Sequence, residues 1–485
     1  MKKVFTLLLT AAVFPMYAFT QCQCPPTPQN VGIVDTVATV TELQGALTTA
    51  NANNGNYTIL LEDGTYQLNS NLLYINTTME NLVIRGLSGD RDAVVVKGQG
   101  YNGNVTHIFN VAAKNFVCAD MTIGWVANHA IQIHAENDAD NPVVQNVRFV
   151  DVQEQMLKVS GSASSSYSDN GLVECCLFEF TDSIGFQWYT GGIDGHRCRD
   201  WVVRNNVFKH IRSPEANLAE HAIHFWSFSE NTLVENNLIT NCDRGIGFGL
   251  GSNGHHGGMI RNNYVHTTRD VGIGLETADS VSIFNNSVFT ENYFNSIEYR
   301  FAASLGNLIY NNITNKNIAQ RNDGEADVQS NYTAAIPGIF ANATEGNLAL
   351  VSFIPQVMDA GMALPEVAED FDCEIRPMGS GMDIGADEFT VATSLQQPAI
   401  GEAPVSIYPN PVSAPGNLWF KNIEPLFGHD EVQFQLMTLA GQQVFSSNLT
   451  DRNVRMPWGL KSGLYIYKVK KEEVVLSVGK LLVVR

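Results

Sequence analysis

Through the middle of this chain, β-branched apolar residues stand at a fixed offset before paired asparagines. The phrase runs Val203-Arg-Asn205-Asn206, Val234-Glu-Asn236-Asn237, Ile260-Arg-Asn262-Asn263, Ile283-Phe-Asn285-Asn286 and Ile309-Tyr-Asn311-Asn312. Its first Asn recurs at steps of 31, 26, 23 and 26 residues. Periods of this length mark stacked supersecondary units, and the β-branched positions make each unit a strand rather than a helix. Asn enters left-handed backbone more readily than other non-Gly residues, so an Asn column marks one tight corner repeated in every coil. Earlier coils pass through Val83-Ile84, Val117-Cys118, Val144-Gln-Asn146 and Val173-Glu-Cys175. The pattern predicts an all-β chain wound as a right-handed parallel β-helix.

A second strand repeats between the corners. It reads Ile131-Gln-Ile-His134, Leu157-Lys-Val-Ser160, Ile184-Gly-Phe-Gln187, Ile223-His-Phe-Trp226, Ile246-Gly-Phe-Gly249, Ile273-Gly-Leu-Glu276 and Ile297-Glu-Tyr-Arg300. Apolar and other residues alternate with period two, so one column faces the core and the other forms an outward wall. That wall carries Lys158, Gln187, His224, Trp226, Glu276, Glu298 and Arg300, interrupted by Gly247, Gly249 and Gly274. Ahead of the coils, Thr41-Glu-Leu-Gln44 has a capping-box pattern, with Leu43, Ala46, Leu47 and Ala50 at helical spacing. A short helix there caps the open end, where unpaired strand edges invite aggregation.

Composition adds the compartment. Lys2-Lys3 followed by an apolar run from Val4 to Tyr17 has the layout of a secretory signal peptide over residues 1–20. The run is too short to span a bilayer. Residues 21–36 form a Pro-containing lead-in, 37–345 the β-helix, 346–390 a shorter segment without the repeat, and 391–403 a linker. Residues 404–485 read as a small all-β module, a β-sandwich in outline. The net charge of −20 speaks against nucleic acid as a partner. Eight cysteines in an exported chain permit disulfides, and their pairing is left open. Cys175 and Cys176 fall where other coils carry the Asn pair, so they also suit stacked core thiols.

Candidate chemistry gathers around the longest step. From His196 to Arg212, five basic residues, Arg197 first, face Asp200 alone. They follow Gly191-Gly-Ile-Asp194-Gly-His196, expected as a loop beside the wall, and loops on one face of a rigid scaffold are where binding and catalysis concentrate. Trp226 offers a face for a sugar ring. Glu220, His221 and His224 suit a metal or proton transfer. Three-residue spacing on a strand points the two histidines to opposite faces, so a shared metal needs His221 in a turn. His255-His256, in a Gly-rich turn, is expected to face solvent. The acidic loop Glu136-Asn-Asp138-Ala-Asp140 presents oxygen ligands for Ca2+, and no other cofactor is indicated.

Residues 37–345 resemble pectate-lyase-like β-helix proteins at the level of fold, without a family motif from which catalytic residues carry over. Asp359-Ala-Gly361, Arg376-Pro377 and Asp383-Ile-Gly-Ala386-Asp-Glu388 resemble the bacterial choice-of-anchor Q segment. Ile407-Tyr-Pro-Asn-Pro411, Leu439-Ala-Gly441, Leu460-Lys-Ser-Gly-Leu-Tyr465 and the ending Gly479-Lys-Leu-Leu-Val483 resemble a type A sorting domain of the type IX secretion system, with Thr438 at a position that is usually acidic. The resemblances imply export across the outer membrane by that machinery, then release or surface attachment, and an extracellular polysaccharide as partner. A polysaccharide lyase is the leading expectation, with Lys158, His196, Arg197, His224 and Arg300 as the catalytic set. Gln187, Asp194, His221, Trp226, Glu276 and Glu298 are the expected substrate contacts. A glycoside hydrolase using Glu276 and Glu298, and a non-catalytic glycan-binding adhesin, are the alternatives.

Overall fold

The structure, a computed structural model, describes residues 22, 24–389, 406–408, 412–421, 432–438, 443–449, 452–457, 459–471 and 474–484. The expected signal peptide and linker lie outside them. The chain divides into two compact units, Met1–Phe389 and Thr390–Arg485. The first is a parallel β-helix with a helix at its start. That helix, Val40–Ala52, buries Leu43, Ala46, Leu47 and Ala50 as expected. Its capping box begins at Thr39 rather than Thr41, because Thr39-Val-Thr-Glu42 satisfies the same spacing two residues earlier.

The Asn pair performs two different tasks. Asn205, Asn236, Asn262, Asn285 and Asn311 all turn the chain with φ between 49° and 58°. Their successors, Asn206, Asn237, Asn263, Asn286 and Asn312, are fully buried and form a ladder of amides along the axis. Each Nδ2 donates to Oδ1 of the next rung at 2.9–3.0 Å, the last reaching Asn331. Each Oδ1 also accepts the main-chain N–H of the rung before it, at 2.8–3.1 Å. Beside the ladder the expected column Val203, Val234, Ile260, Ile283 and Ile309 is fully buried. Phe149, Phe178 and Phe208 stack along the same interior at 4.4 and 4.5 Å.

The corner asparagines also hold the segment after the coils. Nδ2 of Asn236, Asn262, Asn285 and Asn311 donates to the carbonyls of Asp370, Glu369, Asp383 and Met362, at 2.7–2.9 Å. The segment from residue 346 to 389 therefore belongs to the β-helix unit rather than standing apart. Inside it, Arg376 and Glu388 form a buried ion pair at 2.7 Å. Disulfides Cys22–Cys373 and Cys24–Cys175 fasten the lead-in to this segment and to the corner of an earlier coil. Cys175 is thus a corner residue in a disulfide, while Cys176 is a buried free thiol whose N–H donates to Asn206 Oδ1 at 2.8 Å.

The wall is a nine-stranded parallel sheet. It contains Ile131–His134, Gln155–Ser160, Gly191–His196, His221–Trp226, Arg244–Phe248, Ile273–Glu276 and Asn295–Arg300. One expected strand is wrong. Ile184-Gly-Phe-Gln187 is a loop, with Ile184 and Phe186 37% and 38% exposed and Phe186 stacked on Tyr101. The strand in its place is Gly191–His196, expected as a loop. Its glycines hid it: a Cβ at Gly195 would lie 2.5 Å from Phe225 Cδ1, and one at Gly192 2.2 Å from the Ala222 carbonyl. His255 also departs from expectation, being 2% exposed and stacked on Phe248 at 4.0 Å, while its neighbour His256 is exposed.

In the second unit, a three-stranded sheet with Asn417–Lys421 and a five-stranded sheet with Val432–Met437 and Gly463–Lys471 share one core. That core holds Leu418, Phe420, Phe434, Val469 and Leu481.

Two stability outcomes follow from these contacts. Asn206→Ala strands buried partners at Cys176 N and the Val173 carbonyl and should cost roughly 2–4 kcal/mol, at about 1–3 kcal/mol per buried group left unpaired. Asn205→Gly keeps the left-handed corner and should cost under about 1 kcal/mol. Denaturant melts of the two variants check the contrast. Burial holds the His255 imidazole down to about 3. Between pH ~6.5 and ~3 the unfolded histidine takes a proton that the folded one refuses, so its contribution to stability falls as pH falls. His255→Gln should therefore lose roughly 1–2 kcal/mol less than the parent between pH 7 and 5 in paired urea melts.

Candidate functional site

Parallel register sets the site. Lys158 stands beside Asp194, Asp194 beside His224, and His196 beside Trp226, so three consecutive coils bring these side chains together. The Lys158 ammonium bonds directly to Asp194 Oδ2 and lies 2.9 Å from His196 Nε2. Trp226 Nε1 donates to Asp194 Oδ1 at 2.7 Å. The Trp226 ring lies against His196 edge-on, with centroids 4.4 Å apart, and parallel to His224 at 5.7 Å. His196 Nδ1 faces the Gly161 carbonyl at 3.2 Å. A carbonyl only accepts, so Nδ1 carries the proton and Nε2 presents its lone pair to Lys158.

Lys158, Asp194 and His224 are 8%, 4% and 2% exposed, so their charges are set by one another. Burial alone pushes the Asp194 carboxyl up. The Lys158 charge, aided by contact with the His196 and His224 imidazoles, outweighs it and holds the group well below the usual carboxylate range. Burial brings His224 down to about 4, against the pull of Asp194. His221 is held well below its usual value by burial and by His224. Both imidazoles are neutral at pH 7. Tyr189, half-buried and within electrostatic reach of Lys158, Asp194 and Glu220, has its phenol raised by burial and keeps its proton.

Further along the axis, His221, Glu276, Glu298 and Arg300 line a cavity of about 170 Å³ with Arg244, Asp270 and Tyr293. Glu276 pairs with Arg300 at 3.3 Å. Glu298 is 2% exposed and binds Arg321 at 3.0 Å and the Tyr293 hydroxyl at 2.9 Å. The two expected hydrolytic carboxylates are thus each neutralised by a separate arginine. Burial raises the carboxyls of Glu220 and Asp270, which both approach Arg244.

Two expected site residues lie elsewhere. Gln187, carried off by the loop, donates to the Gln153 carbonyl at 3.2 Å. Arg197 turns away through a left-handed residue, and its guanidinium sits 3.8 Å over Tyr167 and donates to the Ser165 carbonyl at 2.8 Å. The basic run does not form a single face: Arg199 binds Asp169 at 2.5 Å and Arg204 binds Glu174 at 2.9 Å. In the acidic loop, Asp138 and Asp140 both bind Lys114, at 2.5 and 2.7 Å, and Glu136 binds His134 at 2.7 Å. Sequence reasoning missed Tyr189, Arg244, Asp270 and Tyr293. They precede or open their strands, so the in-and-out alternation did not mark them.

Residues 129–318 match the family model described as the right handed beta helix region, and residues 406–484 match the secretion system C-terminal sorting domain. The chain is a right-handed β-helix protein carrying a domain that marks it for secretion. No curated protein matches it. Among solved structures it is similar to an alginate lyase from Paenibacillus sp. at 13% identity, covering 54% of this chain and 95% of that one, with a TM-score of 0.36. The A-module of a mannuronan C-5 epimerase from Azotobacter vinelandii matches at 12% identity, 62% and 98% coverage and a TM-score of 0.38. The catalytic unit of an alpha-1,3-glucanase from Streptomyces thermodiastaticus matches at 13% identity, 65% coverage of both chains and a TM-score of 0.35.

The buried ion pair sets an outcome for variants. Lys158→Met leaves Asp194 buried without its cation, which should cost roughly 3–5 kcal/mol and raise the carboxyl. Adding Asp194→Asn removes the orphaned charge and should restore most of that loss. Paired thermal and urea melts of the single and double variants check it; equal stability of the two would show that the pair is not coupled.

Proposed function

We propose that this secreted β-helix protein acts on an extracellular polysaccharide and cleaves it as a lyase, by β-elimination at a uronic acid unit. The observation that carries the reading is the Lys158–Asp194–His196 contact set, an ammonium held between a buried carboxylate and the lone pair of an imidazole. Elimination from a uronate needs a cation on the sugar carboxylate, to stabilise the charge that develops when C5 loses its proton, and a base within reach of that proton. Lys158 supplies the first. Two of its three N–H groups face Asp194 and His196, leaving one for a ligand.

His196 supplies the second. Once Lys158 turns to the sugar carboxylate, His196 Nε2 takes the C5 proton. The C5–H electron pair forms the C4–C5 double bond, the bond from C4 to the glycosidic oxygen breaks, and the leaving oxygen takes a proton. We assign that donation to Tyr189, whose phenol is protonated at neutral pH. The imidazolium then lies 3.4 Å from Asp194 Oδ2, which stabilises it. Trp226 walls the site and His224 packs under Asp194. Hydrolysis is the second reading, favoured by the raised carboxyls of Glu220 and Asp270 on either side of Arg244.

The secreted protein, incubated with a panel of uronic acid polysaccharides, should produce the ultraviolet absorbance of an unsaturated uronate. His196→Ala should lower kcat by roughly 10²–10⁴-fold in a protein that still unfolds cooperatively. Absence of unsaturated product from every polymer overturns the lyase reading. Saturated reducing ends would then mark a hydrolase, and retained binding without turnover a glycan-binding surface protein.

A further inference from the structure

Near its start the His221–Trp226 strand carries two consecutive inward residues, as an earlier strand of the sheet does at Met156 and Leu157. Ala222 and Ile223 are both fully buried in the core, which departs from the in-and-out alternation of a straight strand. His221 and His224 lie together on the outward side, their ring centroids 4.6 Å apart. Glu220, the preceding residue, joins them: one donor atom from each of the three lies within 4.8 Å of the others. The opposite-face arrangement expected from a straight strand is therefore overturned by the two consecutive inward residues.

Three further observations point to a ligand here. His221 Nδ1 is buried and has no hydrogen-bond partner. Buried polar groups are almost always paired, and an exception calls for an explanation such as an ion. Gly247 lies under the ring, where a Cβ would come within 2.7 Å of His221 Nε2, so the absence of a side chain keeps that space clear. Glu220 is held only loosely, 3.9 Å from Arg244, whose closer partner is Asp270 at 3.2 Å.

We propose that Glu220, His221 and His224 bind a divalent transition-metal ion of the Zn2+ class. Two imidazoles and one carboxylate match the donors preferred by Zn2+ and its neighbours, whereas Ca2+ and Mg2+ take nearly all-oxygen shells. Three protein ligands leave a tetrahedral ion one position, which here opens toward the cavity of Glu276, Glu298 and Arg300. A hydroxyl or carboxylate of a bound glycan, or a water, is the chemistry that fits that position. The inference does not depend on the lyase reading, since Lys158, Asp194 and His196 are outside the ligand set.

The test is titration of the metal-stripped, full-length secreted protein with Co2+, followed by its visible d–d absorption, and with Zn2+ by calorimetry. One ion per chain is expected, with the tetrahedral cobalt spectrum of nitrogen and oxygen ligands and a Zn2+-dependent rise in melting temperature. His221→Ala and, separately, Glu220→Gln should each weaken binding by at least roughly tenfold and reduce the thermal shift. Should His221→Ala fail to fold, Glu220→Gln decides alone. No saturable binding overturns the proposal, as does binding that either folded variant leaves unchanged. A thiolate charge-transfer band does so too, because it would place the ion on the buried cysteines.

Discussion

The buried amide ladder from Asn206 to Asn331 is the constraint on which the rest of the β-helix depends. From Asn237 to Asn312, each rung uses its oxygen for two donors of the preceding rung and its nitrogen for the next oxygen and a carbonyl of the coil before it. A coil that slipped so that the following residue took the rung's place would present Val207, Leu238, Tyr264, Ser287 or Ile313 to those groups, leaving several buried donors unpaired at roughly 1–3 kcal/mol each. A one-residue slip would also exchange the core and solvent faces of every strand. Register is therefore fixed at the corner and transmitted around the coil. Four of the corner residues beside the rungs, Asn236, Asn262, Asn285 and Asn311, add a second function, because their amides hold the segment from residue 346 to 389 against the coils.

That register is what makes the buried ion cluster affordable. Removing a carboxylate from water costs several kcal/mol unless partners are already in place. Parallel strands stack about 4.8 Å apart, so side chains in one outward column meet their counterparts in the next coil without further folding. Asp194 gains Lys158 from the coil before it and Trp226 from the coil after it, in directions set entirely by the strands. The chain as a whole carries −20, yet this carboxylate is ionised because of local contacts rather than net charge.

The architecture was legible because it rests on repetition: the Asn corners, the β-branched column beside them and the outward positions of six strands all follow from spacing. The centre of the site was half legible. Lys158, His224 and Trp226 came from alternation alone, whereas Asp194 and His196 were placed in a loop because Gly191, Gly192 and Gly195 erase the apolar signature of their strand. Ile184-Gly-Phe-Gln187 imitated that signature, and only packing against the inward Phe225 ring distinguishes the two. Arg197 was drawn into the site by charge, which is silent about the left-handed corner that turns it toward Tyr167. The disulfides were beyond reach, since Cys22 and Cys373 are 351 residues apart in sequence.

The glycines of the wall shape its outward face. Along one outward column the order is Lys158, Asp194, His224, Gly247, Gly274, Glu298. Two successive coils thus contribute no side chain between His224 and Glu298, a gap of three strand spacings or about 14 Å. A Cβ at Gly274 would touch only Val271 at 3.3 Å, so packing of the strand does not demand glycine there, in contrast to Gly192 and Gly195. The missing side chains instead open the floor of the cavity, which runs along the axis from His221 to Arg300. One end is flanked by the lysine–carboxylate–imidazole cluster and the other by the Glu276–Arg300 and Glu298–Arg321 pairs. The outward column is thus charged at both ends and bare between them.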